Sequence, residues 1–296
     1  MQLRYTTLDV FTDRRFGGNP LAVFCDQPEL PDALMQKIAQ EFNLSETVFI
    51  GPPRDARALR RLKIFTPVTE LPFAGHPTIG AVQTLVDSGI ATSDRFALEL
   101  GVGLVPITVT RREQGPPFLQ LTSARLPEAR DTSATRAQLA QLLNLAEQDI
   151  VNDAQQYSCG VPYLFVPVRD RAVLARARPD ISAWERVLQG AWAQMAFVFC
   201  REPELPGSHI RARMFAPTLG VFEDPATGSA AAALAGYLAD RERATSGTLR
   251  WVVEQGFEMG RPSLIHVDAE KTNGKVSVVR VGGTAVKVSE GTFLID

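Results

Sequence analysis

Two glycine-led helix entrances hold most of the residues able to do chemistry. In one, Gly75 precedes His76 at the head of an apolar run; in the other, Gly228 precedes Ser229, with Asp224 in the loop just before. The first backbone N–H groups of a helix have no partners inside it, and glycine lets a ligand approach them closely. Each entrance can therefore seat an anion, the helix dipole adding about 0.5 to 1 kcal/mol for a carboxylate. His76 is either a satisfied structural histidine or a group that donates to, or exchanges a proton with, a ligand at the helix start. Taken singly, Ser229 reads as an N-cap or first-turn residue, Asp224 as a solvated or capping acid, and both glycines as turn residues. Their clustering at two equivalent entrances favours a functional reading of all of them.

The elements that position these residues come in two copies. Lys63-Ile64-Phe65-Thr66-Pro67 leads through Glu70-Leu71-Pro72-Phe73-Ala74-Gly75 into His76-Pro77-Thr78-Ile79-Gly80-Ala81-Val82. Arg213-Met214-Phe215-Ala216-Pro217 leads through Glu223-Asp224-Pro225-Ala226-Thr227-Gly228 into Ser229-Ala230-Ala231-Ala232-Ala233-Leu234-Ala235. Both read as strand, Phe-x-Pro, acidic loop, glycine and helix. A helix apolar nearly all round must be covered on every side, so each is expected at the centre of its own domain, wrapped by strands. Period-two apolar patterns place strands at Leu3–Phe11, Leu21–Cys25, Thr47–Ile50, Leu59–Thr66, Phe96–Leu100 and Leu104–Thr110. Leu34, Ile38 and Phe42 recur every four residues behind Pro31, which predicts a helix over Pro31–Phe42.

The expected fold is α+β, with two pseudo-symmetric domains, each a mostly antiparallel β-roll or barrel around a central helix. The first spans 1–124 with its helix near 76–88, and the C-terminal strand, 284–296, is free to pack back on it. The second spans 125–283 with its helix near 229–241. The polar stretch Ser123–Thr135 reads as the connection. If a two-fold pseudo-axis relates the halves, the two entrances can face one another across a cleft and offer donors to one ligand.

Bulk properties narrow the function classes. At 296 residues the chain exceeds what one core usually serves. Its 31 Lys plus Arg against 33 Asp plus Glu give a net charge of -2, which points to a small-molecule partner and away from nucleic acid. No run approaches the ~20 apolar residues of a membrane span, and Met1–Val10 alternates like a strand instead of a signal peptide. Cys25, Cys159 and Cys200 are too scattered for a disulfide scaffold or a zinc site, and a reducing cytoplasm suits them. Cys25 and Cys200 each end an apolar run and read as core residues. His76, His209 and His266 lack metal-motif spacing, so no metal is expected. Neither a Gly-x-Ser-x-Gly elbow nor a helix-opening Gly-x-Gly-x-x-Gly is present, and no cofactor is expected. The run Arg169-Asp170-Arg171 with Arg176-Ala177-Arg178 reads as a solvated helix face, and Trp184 and Trp192 as core or interface anchors.

One set of segments carries a family resemblance. It comprises Asp9-Val10-Phe11 with Gly18-Asn19-Pro20, Asn43-Leu44-Ser45-Glu46-Thr47, both entrance segments quoted above, and Met259-Gly260-Arg261-Pro262-Ser263. In this order they resemble the PhzF family of phenazine-biosynthesis-like isomerases, which shares its fold with diaminopimelate epimerase. The resemblance implies a cofactor-independent, homodimeric isomerase with Glu46 as catalytic acid/base. His76, Asp224 and Ser229 would line the site, and Gly75, Gly228 and Asn19 would contact a small carboxylate-bearing substrate. By itself Glu46 reads as a strand-end acid, yet Leu44, Val48, Phe49 and Ile50 around it would disfavour a charged carboxylate and suit it to taking and returning a proton. Related racemases carry a cysteine at each entrance; here His76 and Ser229 stand there, which favours a proton shift by one carboxylate over two-thiol inversion. Tyr157–Tyr163 departs from the phenazine enzyme proper, where a histidine follows the corresponding turn, so the substrate stays open. The competing readings are an amino- or hydroxy-acid epimerase or racemase on the same fold, and a non-catalytic metabolite-binding protein.

Overall fold

The structure is a computed structural model describing residues 1–25, 30–151 and 153–295. The chain divides into two compact units, Met1–Ala124 with Val281–Asp296, and Arg125–Arg280.

The first unit opens with β1 (Gln2–Val10), β2 (Asn19–Cys25), α1 (Asp32–Phe42) and β3 (Thr47–Gly51). It continues through β4 (Arg60–Phe65), β5 (Glu70–Leu71), α2 (Gly75–Asp87), β6 (Arg95–Leu100), β7 (Gly103–Thr110) and β8 (Phe118–Thr122). Antiparallel pairs join β1 to β2, β3 to β4, β4 to β5, β6 to β7 and β7 to β8; β2–β3 and β4–β6 are parallel. The two parallel pairs each need a crossover, which α1 and α2 supply. In β7 every second residue is buried, Val105, Ile107 and Val109, as expected of a strand with one face on a core.

The second unit contains β9 (Glu128–Asp131), α3 (Arg136–Leu142), β10 (Gln155–Ser158), β11 (Pro162–Pro167), α4 (Arg171–Arg176) and α5 (Ile181–Leu188). After these come β12 (Met195–Cys200), β13 (Ile210–Ala216), β14 (Val221–Asp224), α6 (Gly228–Asp240), β15 (Gly247–Gln255) and β16 (Ser263–Thr272). Strand β17 (Lys275–Gly283) runs across the division, and β18 (Ala285–Leu294) lies antiparallel to β1. The topology of the first unit recurs. β10–β11 and β12–β13 are antiparallel, β11–β12 parallel, β13–β14 antiparallel, β13–β15 parallel and β15–β16 antiparallel.

Each central helix is buried as its composition requires. In α2 burial is continuous from Gly75 to Gln83, and in α6 from Ala230 to Ala239. Ile79, Val82 and Leu85 are wholly enclosed, each contributing about 1.5 to 3 kcal/mol relative to exposure. Gly80 sits where a Cβ would collide with Leu21 of β2, so this glycine sets how closely α2 approaches the strand.

Outer faces are covered differently. In the first unit Met35, Ile38 and Ala39 of α1 pack on Phe24, Phe49 and Phe65, with Phe24 and Phe49 stacked at 5.0 Å. In the second, α3, α4 and α5 cover β11 and β12, and Trp184 is buried with Nε1 donating to Gln194 O. The connecting stretch contains a strand, β9, that the sequence does not announce, because all four of its residues are exposed and carry no period-two signal. Cys200 is buried, but Cys25 is only half-buried at the end of β2. Among the described residues no helix is long and apolar enough to cross a membrane.

Candidate active site

In the first unit Asn19, Glu46 and His76 come together from three elements. Gly18 has φ +62, and a Cβ there would run into Val10 O, so only glycine lets the chain turn tightly enough to start β2 opposite the end of β1. The register then pairs Asn19 with Val10 and leaves Asn19 fully buried. Helix α1 stops at Asn43, which takes the left-handed conformation (φ 50) and donates its N–H to Ala39 O. Three residues later Glu46 stands immediately before Thr47, the first residue of β3. His76 is the second residue of α2, whose N-cap Ala74 offers no side-chain cap.

Asn19 Nδ2 lies 3.2 Å from His76 Nδ1, and His76 Nε2 lies 3.3 Å from Glu46 Oε2. The second contact is within ion-pair distance. Catalytic hydrogen bonds are often loose without substrate and tighten when it binds. His76 is 4% exposed, and burial lowers its pKa to about 3, so the ring is neutral at any working pH. A neutral imidazole is suited to donating a hydrogen bond, not to delivering a proton as a strong acid.

Strand register identifies what the second unit holds at the matching positions. Phe65 and Phe215 head the two Phe-x-Pro motifs and pair with Thr47 and Ala196 respectively. One residue back, the counterpart of Glu46 is Met195. Thr47 also pairs with Ala22, and Ala196 with Leu164, so the counterpart of Asn19 is Val161. The position of His76 is filled by Ser229. At these matching positions, among the described residues, the acid, imidazole and amide occur in the first unit and not in the second.

The second unit builds a different polar group. Asp224 ends β14 and is buried, its Oδ2 accepting from Thr227 Oγ1 at 2.6 Å. Gln255, wholly buried on β15, pins this loop: its Oε1 accepts from Thr227 N, and its Nε2 donates to Asp224 O and to Thr227 Oγ1. Behind Asp224, Arg213 makes a bidentate pair with Glu223 and donates to the carbonyls of Leu174, Ala175 and Ala177. A buried cation so fully satisfied holds the loop in one geometry, and removing either partner would strand a charge. Gly228 is the buried first residue of α6, again without a side-chain cap, and half-buried Ser229 follows.

Sequence reasoning missed Tyr163, Thr227 and Gln255 as site residues. Tyr163 Oη lies 2.7 Å from Ser229 Oγ. Its signal was a tyrosine inside an apolar strand, since a buried phenol needs a hydrogen-bond partner somewhere. Tyr163→Phe removes one hydrogen bond of about 1 kcal/mol and frees the Ser229 hydroxyl to rotate. The expected result is a roughly fivefold fall in kcat/KM with stability lowered by only about 1 kcal/mol; an undiminished kcat/KM would show that the orientation of Ser229 is immaterial.

A cavity of about 520 Å³ opens elsewhere in the first unit, beside α1, with Phe24, Met35, Phe49, Arg61 and Lys63 in its wall. None of Asn19, Glu46, His76, Asp224 and Ser229 lines it.

The chain as a whole is similar to known proteins. A family profile described as phenazine biosynthesis-like protein matches residues 8–291. An uncharacterised isomerase of Mesorhizobium japonicum is 41% identical, covering 100% of both chains. The trans-2,3-dihydro-3-hydroxyanthranilate isomerase of Pseudomonas aeruginosa is 35% identical over 97% of this chain and 98% of its own. The crystal structure of a Bacillus anthracis phenazine biosynthesis protein of the PhzF family superposes with a TM-score of 0.92 at 27% identity, covering 100% of both chains.

Proposed function

The chain belongs to the PhzF family of phenazine biosynthesis-like isomerases, and from that premise we propose that it moves a proton between two carbons of a small unsaturated carboxylate, with Glu46 as the acid/base. The observation that carries this reading is the trio of buried Asn19, partly buried Glu46 and buried His76, with Val161, Met195 and Ser229 at the matching places of the second unit. Stereochemical inversion by two equivalent bases would call for matched groups in both halves, and the halves are not matched.

Glu46 removes a proton from an activated C–H, and the electron pair left behind spreads through a conjugated, enol-like system. His76 donates a hydrogen bond as negative charge develops, and protonated Glu46 returns the proton to another carbon, so that a double bond has shifted and nothing is gained or lost. The uncapped start of α2, with Gly75, is suited to hold a carboxylate, the uncapped start of α6, with Gly228 and Ser229, offers donors of the same kind within its own unit, and on the family resemblance we assign Asp224 to accept from a polar group of the substrate. A cytoplasmic homodimer working without a bound cofactor completes the reading, on the strength of the family resemblance.

Proton NMR in D₂O tests it, starting with trans-2,3-dihydro-3-hydroxyanthranilate, the compound for which the Pseudomonas aeruginosa relative is named. The expected product has a migrated double bond, with hydrogen or deuterium delivered to a new carbon. Deuterium appearing at the original stereocentre with no shift of the double bond would replace this reading by an epimerase.

A further inference from the structure

We propose that Asn19 is a positioning residue that holds His76 in its neutral Nε2–H tautomer, so that the imidazole always presents a proton, and never a lone pair, toward Glu46. The inference rests on the assignment of Glu46 and His76 to the reaction and adds what decides their proton inventory.

A neutral imidazole has one protonated nitrogen and one bare one, and the partner of either determines both. His76 Nδ1 faces the carboxamide nitrogen of Asn19 at 3.2 Å. An amide nitrogen only donates, so Nδ1 must be the bare acceptor and the proton resides on Nε2. That nitrogen lies 3.3 Å from Glu46 Oε2, where a carboxylate can only accept. In the other tautomer a lone pair on Nε2 would meet lone pairs on the carboxylate.

Burial makes the choice binding. Asn19 is 0% exposed and His76 4% exposed, and a buried amide or ring nitrogen left without its partner costs about 1 to 3 kcal/mol. Gly18, held at φ +62 under Val10 O, and the pairing of Asn19 with Val10 fix where the amide stands. The second unit supplies an internal control. There the helix entrance carries Ser229, which has no tautomer to set, and the position matching Asn19 is the apolar Val161.

The consequence is chemical. With Nε2 already protonated and Nδ1 engaged by the amide, His76 has no free site for a second proton. The proton that Glu46 takes from carbon therefore stays on Glu46 until it is returned. His76 acts as a fixed electrophile and does not shuttle protons.

Nitrogen-15 labelling of histidine gives a direct test, because two-bond ¹H–¹⁵N correlations distinguish bare from protonated ring nitrogens. His76 is assigned among His76, His209 and His266 by its loss in His76→Gln. The wild-type ring should show a bare Nδ1 and a protonated Nε2. Asn19→Asp puts an acceptor at Nδ1 and should protonate that nitrogen, with kcat lowered roughly 100-fold or more and KM changed by only a few-fold, as when a catalytic histidine is held in the wrong tautomer. Glu46→Gln should leave the nitrogen pattern of wild type intact, which separates this assignment from the role of Glu46. A protonated Nδ1 in the wild-type protein overturns the proposal whether or not the variants fold. So does an Asn19→Asp enzyme with altered ring protonation and undiminished kcat.

Discussion

Replacing Glu46 with glutamine should reduce turnover by roughly 10² to 10⁴-fold, the range that a positioned general acid/base supplies, while leaving the fold and ligand affinity nearly unchanged. Glutamine has the shape of glutamate, so the space before β3 stays filled. Its carboxamide oxygen can still face the Nε2–H of His76, at the place where Oε2 now stands 3.3 Å away. What it cannot do is accept a proton from carbon. Single-turnover rates beside a ligand-binding isotherm separate the two effects: kcat should collapse, Kd should move by a few-fold at most, and far-UV circular dichroism should overlay wild type. An enzyme that keeps its rate after this substitution does not use Glu46 as its base, and the function proposed here would then be wrong.

Acidification should weaken the first unit specifically through His76. The folded ring has its pKa lowered to about 3, against 6.5 for an unperturbed histidine, because burial disfavours the charged form. Between those values the unfolded chain binds a proton that the folded chain does not. Stability therefore falls as pH is lowered from about 6.5 toward 3, at about 1.4 kcal/mol per pH unit once below the unfolded value, and is independent of this group above about 7. The total over the window would be several kcal/mol, a large part of what holds an ordinary domain together. Tryptophan fluorescence is blind to this change, since Trp184, Trp192 and Trp251 all lie in the second unit. Hydrogen exchange of the α2 amides reads the first unit directly. Its opening free energy should drop by about 2 kcal/mol between pH 6.5 and 5, and His76→Gln should abolish most of that slope. Equal slopes in the two proteins would mean that the ring is not held neutral by burial.

Much of this molecule is written locally. The two Phe-x-Pro segments, the glycines at 75 and 228 and the uninterrupted apolar runs behind them locate both central helices, because a helix without a polar stripe has no stable place except an interior. Period-two patterns locate β1, β2, β3, β4, β6 and β7 to within one or two residues at most ends, since a strand with one face on a core must alternate. The helix over Asp32–Phe42 follows from its four-residue apolar spacing and the proline before it. Local signals also existed for helices that went unread. Thr135 and Gln138 form a capping box at the start of α3, and Asp170 and Asp180 cap α4 and α5 through their side chains.

The partnerships that turn candidate residues into a site are not local. Asn19 meets His76 across 57 residues, Tyr163 meets Ser229 across 66, and Gln255 reaches back 28 to pin Thr227. Each joins side chains from elements brought together only by sheet pairing and helix packing, and nothing in the sequence around one partner records the other. The difference between the units is of the same kind. That Glu46 corresponds to Met195 depends on register, and a slip of one residue would exchange which face each side chain occupies. Sequence alone located two glycine-led helix entrances and a glutamate that family resemblance marks as a candidate base, because composition and short spacing encode burial and backbone conformation. Tertiary structure decided that the glutamate, a neutral histidine and a buried amide stand together in the first unit only, because long-range register and burial, not residue type, set which groups touch and which protons they hold.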